Sequence, residues 1–198
     1  MAIAPSRSRV PATERDLDAL PEDVTGEIFD GELIVHPRPD PPHTQAASFL
    51  TGALFAPFAR GIGGPGGWVI LIEPKIRFGS NLLVPDLAGW RKERFAAPAK
   101  GPYLVIPDWV CEVLSPSTER FDRASKLPLY AHEGVRHAWL LDPVLCTLEV
   151  LRLHEGRWLI VDTHEGEGTV RAEPFEEIEL DLGSLWGYGG GAGEEAER

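Results

Sequence analysis

Residues 108–126, DWVCEVLSPSTERFDRASK, decide how the rest of the chain is interpreted. The apolar run at 109–114 predicts a buried strand, and a single acid, Glu112, interrupts it. A carboxylate inside such a strand is unfavourable unless something pairs with it. The residues that follow predict a loop and then a helix, with Thr118 as a plausible N-cap. This strand–loop–helix unit, with its unexplained acid, is the first place to look for a functional site.

The segments on either side of this unit alternate between helix and strand patterns. Upstream, the sequence predicts a short helix (13–20), a hairpin turning at Asp30-Gly31, and an apolar helix that begins after the Asp40 cap. Two strands, WVILIEPKIRFG and LLVPDLAGW, are predicted around a turn at residues 79–81. Downstream, HAWLLDP predicts a buried strand, and a last hairpin turns at Glu155-Gly156. The order indicates an α/β protein in the mixed (α+β) sense, with one central sheet flanked by helices.

Composition limits the protein class. With 43% hydrophobic and 25% charged residues, the chain resembles an ordinary globular protein. It has no apolar run of the ~20 residues needed to span a bilayer and no signal-peptide pattern, so we expect a cytoplasmic protein with no membrane partner. We predict one domain over residues 12–187, a flexible N-terminus (1–11) and a flexible acidic tail (188–198). Residues 161–198 carry 11 acidic and 2 basic side chains, so most of the net charge of −12 lies there.

Two acids could form a metal site. Asp86 follows Pro85 at the end of one predicted strand, and Glu112 lies in the next one along the chain. Two nearby carboxylates repel each other unless a cation lies between them. Mg²⁺ prefers oxygen ligands of this kind and supports phosphodiester cleavage. The residues alone leave alternatives open, since a Pro-Asp pair is common in turns and Glu112 could pair with Arg91 or Arg123.

Three longer segments match a known family. They are IFDGELIVHPRPDPPHTQAASFL, LLVPDLAGW and PDWVCEVLSPSTERFDRASKLPLYAHEGVRHAWLLDP. Over about residues 16–161 the chain resembles the Uma-type restriction endonucleases of the PD-(D/E)XK nuclease superfamily. The resemblance implies a restriction-endonuclease-like core with extra β-hairpins and a nuclease site at the sheet edge. It also implies DNA as the substrate and Mg²⁺ or Mn²⁺ as the cofactor.

The resemblance further implies roles for individual residues. Asp86 and Glu112 correspond to the metal-binding acids of the superfamily. The catalytic lysine of that pattern normally follows the second acid by two positions, where this chain has Leu114. The resemblance suggests that Lys126 takes its place, and the i, i+4 spacing of Asp122, Lys126 and Tyr130 puts all three on one helix face. An exposed Asp122–Lys126 pair is the alternative interpretation of the same spacing.

Three further residues are candidate accessory groups. Glu73 could be a third acidic ligand or a partner of Lys75. His43, in the first turn of the second helix, could contact the site or serve a surface or capping role. Glu32 could face the site or lie on the strand surface.

Two functions remain open on the sequence. The first is a Mg²⁺-dependent DNA endonuclease that uses Asp86, Glu112 and Lys126. The second is a nuclease-fold protein with a degenerate site that acts as a binding or structural module, which Leu114 and the acidic C-terminal part favour. Homodimerisation is plausible for an enzyme that cuts both strands of a duplex.

Overall fold

The computed structural model describes residues 10–187. The predicted acidic tail (188–198) and all but the last two residues of the predicted flexible N-terminus lie outside the described residues. Within residues 10–187, no helix is both long and apolar enough to cross a membrane. The helices are α1 (Glu14–Asp18), α2 (Pro41–Leu54), α3 (Glu119–Phe121) and α4 (Leu127–His132), with π-helical turns at Phe55–Ala59 and Asp122–Lys126 and a 3₁₀ turn at Gly183–Trp186. The strands are β1 (Val24–Phe29), β2 (Glu32–Pro37), β3 (Trp68–Ile72), β4 (Ile76–Phe78), β5 (Asn81–Leu83), β6 (Leu87–Arg91), β7 (Trp109–Val113), β8 (His137–Asp142), β9 (Thr147–His154), β10 (Arg157–Glu165), β11 (Thr169–Val170) and β12 (Leu180–Asp181).

A six-stranded mixed sheet forms the centre of the fold. Its strand order is β10-β9-β8-β7-β6-β3, and β7 and β8 are parallel while the other neighbours are antiparallel. A parallel pair needs a crossover connection, which α3 and α4 provide. The predicted mixed sheet flanked by helices is therefore confirmed, as are the hairpin turns at Asp30-Gly31 and Glu155-Gly156, whose residues have the positive φ such turns require.

The prediction of two long strands around residues 79–81 is wrong, because each of the two segments is broken in the middle into two shorter strands. β3 and β6 belong to the central sheet, whereas β4 and β5 join the hairpin in a second sheet with the order β2-β1-β5-β4. Pro74 and Pro85 lack the N–H that a continuous ladder needs, and Glu73 has a φ of 45°. The backbone N–H of Glu73 donates to the carbonyl of Asp86 at 2.9 Å, so the two breaks lie side by side.

Apolar clusters cover both faces of the central sheet. Trp109, Cys111 and Val113 of β7 face a cluster that includes α2 residues and Phe175 from the C-terminal segment. Val110 belongs to the opposite cluster, which includes Leu127 and Tyr130. Because side chains alternate along a strand, Glu112 points to the same side as Val110, toward α4.

The sequence missed the part played by the C-terminal segment. Its buried residues pack under α2 and the central sheet, although the segment is strongly acidic. The Phe175 ring lies 4.7–5.6 Å, centroid to centroid, from the rings of Phe58, Trp68, Trp109 and Trp139. The acidic residues between its apolar positions concealed this pattern.

The predicted Asp40 cap is confirmed, and Asp40→Ala should weaken the N-terminus of α2. The Asp40 carboxylate accepts a hydrogen bond from the backbone N–H of His43 at 3.0 Å. Removing such a cap lowers the free energy of unfolding by about 1 kcal/mol. Urea unfolding measures the change, and exposed Asp23→Ala is the control, expected to change it by less than about 0.5 kcal/mol. Equal stability of both variants would show that this bond contributes nothing.

By contrast, Thr118 occupies the N-cap position of α3 but its side chain makes no capping hydrogen bond. Its hydroxyl instead lies 3.0 Å from that of Ser115.

Candidate active site

A cavity of about 760 Å³ lies where the two sheets separate. Its walls come from α1, the β1–β2 hairpin, the start of α2, the strand breaks at Glu73 and Asp86, and the loop after β7. Four acids among its lining residues belong to different parts of the chain: Glu27, Asp86, Glu112 and Asp122. The broken strands thus create the space in which these acids meet.

Asp86 is held at the start of β6 by two contacts. One carboxylate oxygen, Oδ2, accepts the backbone N–H of Val113 at 2.7 Å, which ties Asp86 to the end of β7. The other oxygen, Oδ1, lies 3.1 Å from Nε2 of His43. The Asp86 side chain remains 16% exposed, so it can still meet a ligand in the cavity.

Glu112 lies deeper, with only 2% of its side chain exposed. The hydroxyl of Tyr130 donates to Oε1 at 2.6 Å, and Nζ of Lys126 lies 3.2 Å from Oε2. Burial raises the pKa of Glu112 well above its usual value, and the neighbouring acids Asp122, Asp86 and Glu27 raise it further, while Lys126 opposes them. From the sequence, Glu112 could have paired with Arg91 or Arg123. In the structure it pairs with Lys126 instead.

Lys126 is the centre of the cluster. Its side chain is 6% exposed, so the exposed helix pair considered from the sequence is wrong. Its Nζ lies 3.2 Å from Glu112 and from Asp122, and 3.3 Å from Glu27. Burial alone would lower the pKa of this lysine, but the surrounding carboxylates raise it well above the usual value. Lys126 is therefore an ammonium cation held by three carboxylates.

The π-helical turn at Asp122–Lys126 brings the predicted helix face to the cavity. The spacing of Asp122, Lys126 and Tyr130 behaves as predicted, since Lys126 contacts Asp122 and both Lys126 and Tyr130 contact Glu112. Pro128 falls at the second position of α4, where its missing N–H has no intrahelical partner to lose. The proline that made the geometry uncertain in the sequence is thus accommodated.

On the β1–β2 hairpin the structure favours the strand-surface alternative for Glu32 and brings a different acid to the cavity. Glu32 is exposed at the start of β2 and is not among the residues that line the cavity. Glu27 on β1 is buried there instead, and its Oε1 accepts the backbone N–H of Val84 at 2.6 Å. Burial raises the pKa of Glu27, but Lys126, His36 and this N–H outweigh it and lower the pKa overall. An acid beside the apolar Ile28 and Phe29 was the available signal, the same one that identified Glu112.

His43 and Glu73, the other two candidate accessory residues, both line the cavity. His43 is 9% exposed and contacts Asp86, so it is a site residue as well as part of the first turn of α2. Glu73 is exposed, and its backbone rather than its side chain is bonded to Asp86. Within residues 10–187, Glu73 and Lys75 form no ion pair.

The charges of this cluster do not balance. Three buried carboxylates, those of Glu27, Glu112 and Asp122, contact Lys126, the one lysine of the cluster. The fourth, Asp86, contacts His43, and Glu27 also lies 3.6 Å from Nε2 of His36. No group of three or more His, Cys, Asp or Glu side chains in residues 10–187 is arranged as a ready-made metal site. A magnesium ion, however, commonly takes only one or two carboxylates and completes its shell with water and phosphate. Asp86 and Glu112 supply oxygen donors of the type that such an ion takes.

The His43–Asp86 contact should make stability depend on pH. Burial lowers the pKa of His43, but the hydrogen bond and charge of Asp86 outweigh it and raise the pKa above 6.5. A raised folded-state pKa means that the contribution is complete below pH 6.5 and is lost as pH rises through the folded-state value. We expect wild type to exceed His43→Gln in free energy of unfolding near pH 6, with a smaller difference at pH 9.

Urea unfolding in EDTA at several pH values measures this difference. His132→Gln, at an exposed position in α4, is the control and should show no such trend. A His43→Gln difference that stays constant from pH 6 to 9 would contradict the assigned contact.

Comparison with known proteins shows the family of this chain. The model of the Uma2 family, described as "Putative restriction endonuclease", matches residues 14–183. The chain belongs to this family. The resemblance identified from the sequence is confirmed, and the membership supports a nuclease-like function.

Two individual proteins are similar to this one. A crystal structure of "a putative nuclease belonging to DUF820" from Anabaena variabilis has a TM-score of 0.68 and 23% identity, covering 89% of this chain and 98% of that chain. At this identity the likeness shows the fold. The "Uncharacterized protein slr1290" of Synechocystis sp. is 40% identical over 63 residues, which are 30% of this chain and 33% of that protein. This chain thus spans about a third of the length of the curated relative it matches.

Proposed function

We propose that the protein is a divalent-cation-dependent endonuclease that hydrolyses phosphodiester bonds in DNA. The observation that carries the proposal is the cluster of three buried acids around Lys126, with a fourth acid, Asp86, in the same cavity of a nuclease-family fold. Buried carboxylates in excess of their cations are unfavourable for folding. Their presence together is better explained by a cation that binds there than by stability.

In this proposal each residue of the site has its own role. Asp86 and Glu112 would hold Mg²⁺ or Mn²⁺, which when bound polarises the scissile phosphate and lowers the pKa of the attacking water. His43 and the Val113 N–H orient Asp86. Tyr130 orients Glu112 in the same way. Lys126 supplies a positive charge for the pentavalent transition state and takes over the position left open by Leu114.

Metal binding and cleavage test this proposal together. We expect calorimetry to detect Mg²⁺ or Mn²⁺ binding to the wild type and to find it abolished in Asp86→Asn, with plasmid nicking abolished in parallel. Asp23→Asn, an exposed acid that does not line the cavity, is the matched control and should keep both. No binding to the wild type at millimolar concentration would contradict the proposal. It would favour the degenerate alternative, in which the acids only hold Lys126.

A further inference from the structure

We propose that the cavity admits an unpaired nucleotide of a single-stranded segment or strand end, and not an intact duplex. The inference rests on the proposed nuclease function, and it specifies the substrate of the same site. Three properties of the cavity support it: its depth, the apolar wall formed by α1 and the segment that follows it, and the charge of its lining.

The acids lie too deep for a paired backbone to reach easily. Glu112 and Asp122 line a cavity of about 760 Å³, and their side chains are only 2% and 3% exposed. Cavities of roughly 300–1,000 Å³ enclose small ligands. A phosphate must therefore enter this space to approach Glu112. An unpaired strand can bend into it, whereas enzymes that act on a duplex inside such a pocket first extrude the nucleotide.

One wall of the cavity is apolar and fixed in place. Leu17 of α1 lines it, together with Leu20 and Pro21 from the segment that follows α1. A Cβ built on Gly26 would lie 3.0 Å from Cδ2 of Leu17 and 2.3 Å from Cδ1 of Leu20, so α1 and the segment that follows it pack directly on β1. The Glu14–Arg77 ion pair also ties α1 to β4. An apolar wall offers a surface to the face of an exposed base but nothing to a phosphate.

The charge of the lining also disfavours a duplex. Among residues 10–187, seven acids line the cavity, against three lysines and arginines, Arg38, Lys75 and Lys126, and two histidines, His36 and His43. Lys126 is already engaged by three carboxylates. Proteins that bind duplex DNA neutralise several of its phosphates with lysine and arginine. This lining suits a segment that brings one or two phosphates, which a bound cation can meet.

Cleavage of matched oligonucleotides tests the inference. The probes are one fluorescein-labelled DNA sequence as a single strand, as a blunt duplex, and as a duplex with a single-stranded overhang, each in Mg²⁺ and in Mn²⁺. We expect the single strand and the overhang to be cut at least about tenfold faster than the blunt duplex. Equal or faster cutting of the blunt duplex would overturn the inference while leaving the nuclease function intact.

Variants of the apolar wall provide the second readout. Leu20→Asp should raise KM for the single strand about tenfold and leave kcat and Mg²⁺ affinity unchanged. The reason is that the wall contacts the substrate equally in the ground state and the transition state, and the loss of such an interaction changes KM alone. Leu104→Asp, at an exposed leucine outside the lining, is the control. Leu20→Ala, which adds no charge, should show a smaller rise, and circular dichroism checks that both variants fold. An unchanged KM in both folded variants would contradict the assignment of the wall.

Binding without cleavage separates the two proposals. The Glu112→Gln variant is expected not to cut DNA, so it allows binding to be measured alone. Fluorescence anisotropy with this variant should show tighter binding of the single strand than of the blunt duplex. If that preference holds while the wild type cuts neither probe, the substrate inference stands and the proposed nuclease activity fails. If neither probe binds, or the duplex binds more tightly, the substrate inference is wrong.

Discussion

Lys126→Met should greatly reduce nicking and destabilise the metal-free protein by about 3–5 kcal/mol, the usual range when one partner of a buried ion pair is removed. The ammonium group of Lys126 is the shared cation of Glu27, Glu112 and Asp122. Without it, these acids and Asp86 face one another in a largely buried space with no lysine between them. Each carboxylate then either takes up a proton or remains an uncompensated charge.

A divalent cation should reverse part of this destabilisation. With Lys126 removed, the same carboxylates are free to bind Mg²⁺, so we expect the variant to bind it more tightly than the wild type. Ligand binding stabilises the folded state, by about 2.7 kcal/mol at a hundred times the Kd. Nicking should still fall by about 10²–10³-fold, because the positive charge at the transition state is gone.

Thermal unfolding with and without Mg²⁺, together with calorimetry and nicking, measures these effects. Lys75→Met is the matched control, since Lys75 also lines the cavity but is not part of the buried ion-pair cluster. It should change none of the three measurements by a comparable amount. If Lys126→Met kept its activity, Lys126 would have a structural role only.

The sequence was sufficient where a local pattern determines the structure. The apolar run around Glu112 forms the buried strand β7. All residues of this strand except Glu112 pack into one of the two apolar clusters. The spacing from Asp122 to Tyr130 put three side chains on one helix face, and the structure turns that face to Glu112. The helix cap at Asp40 and the Asp30-Gly31 turn are equally local.

The sequence was insufficient where the outcome depends on distant partners. The apolar segment around Glu73 has a strand pattern on both sides of Pro74, and only the pairing of its halves with different sheets shows the break. Glu27 and Glu32 are both hairpin acids, but Glu27 is the one that meets Lys126, about a hundred residues away in the chain. Phe175 has an acidic neighbour on its C-terminal side, yet it packs among four aromatic rings.

Two of these failures, the broken strands and the hairpin acids, lie at the cavity, and that has a physical reason. Proteins depart from local stability rules mainly at functional sites, where the arrangement serves a ligand. Here the broken strands, the positive φ of Glu73 and the excess of buried acids all occur around one space. Sites of this kind are commonly destabilising, and substitutions that relieve the strain stabilise the protein while removing its activity.

Glu112→Gln is the substitution that should show this trade-off most clearly. We expect the metal-free variant to be about 1–3 kcal/mol more stable than the wild type at pH 8, because it removes the most deeply buried of four like charges. The amide can accept from Lys126 through its carbonyl and donate to the Tyr130 hydroxyl, so neither neighbour is left unpaired. Lys126 keeps Glu27 and Asp122 as partners.

The pH dependence of this difference identifies its cause. The folded-state pKa of Glu112 is raised, so its contribution to wild-type stability is complete below its unfolded pKa near 4.5 and is lost as pH rises toward the folded-state value. Gln cannot titrate. The stability advantage of Glu112→Gln should therefore be small at pH 4 and grow as pH rises.

Mg²⁺ should invert the order of the two proteins. The wild type gains stability on binding the cation, whereas Glu112→Gln, with one of the two proposed ligands neutralised, gains little and shows no nicking. Urea unfolding at pH 4, 6 and 8, each with Mg²⁺ or EDTA, measures both effects. The control is Glu149→Gln, which removes an acid that pairs with Arg123 and does not line the cavity. If Glu112→Gln were instead less stable than the wild type in EDTA at pH 8, Glu112 would be needed as a partner of Lys126. The excess of buried acids would then no longer argue for a cation.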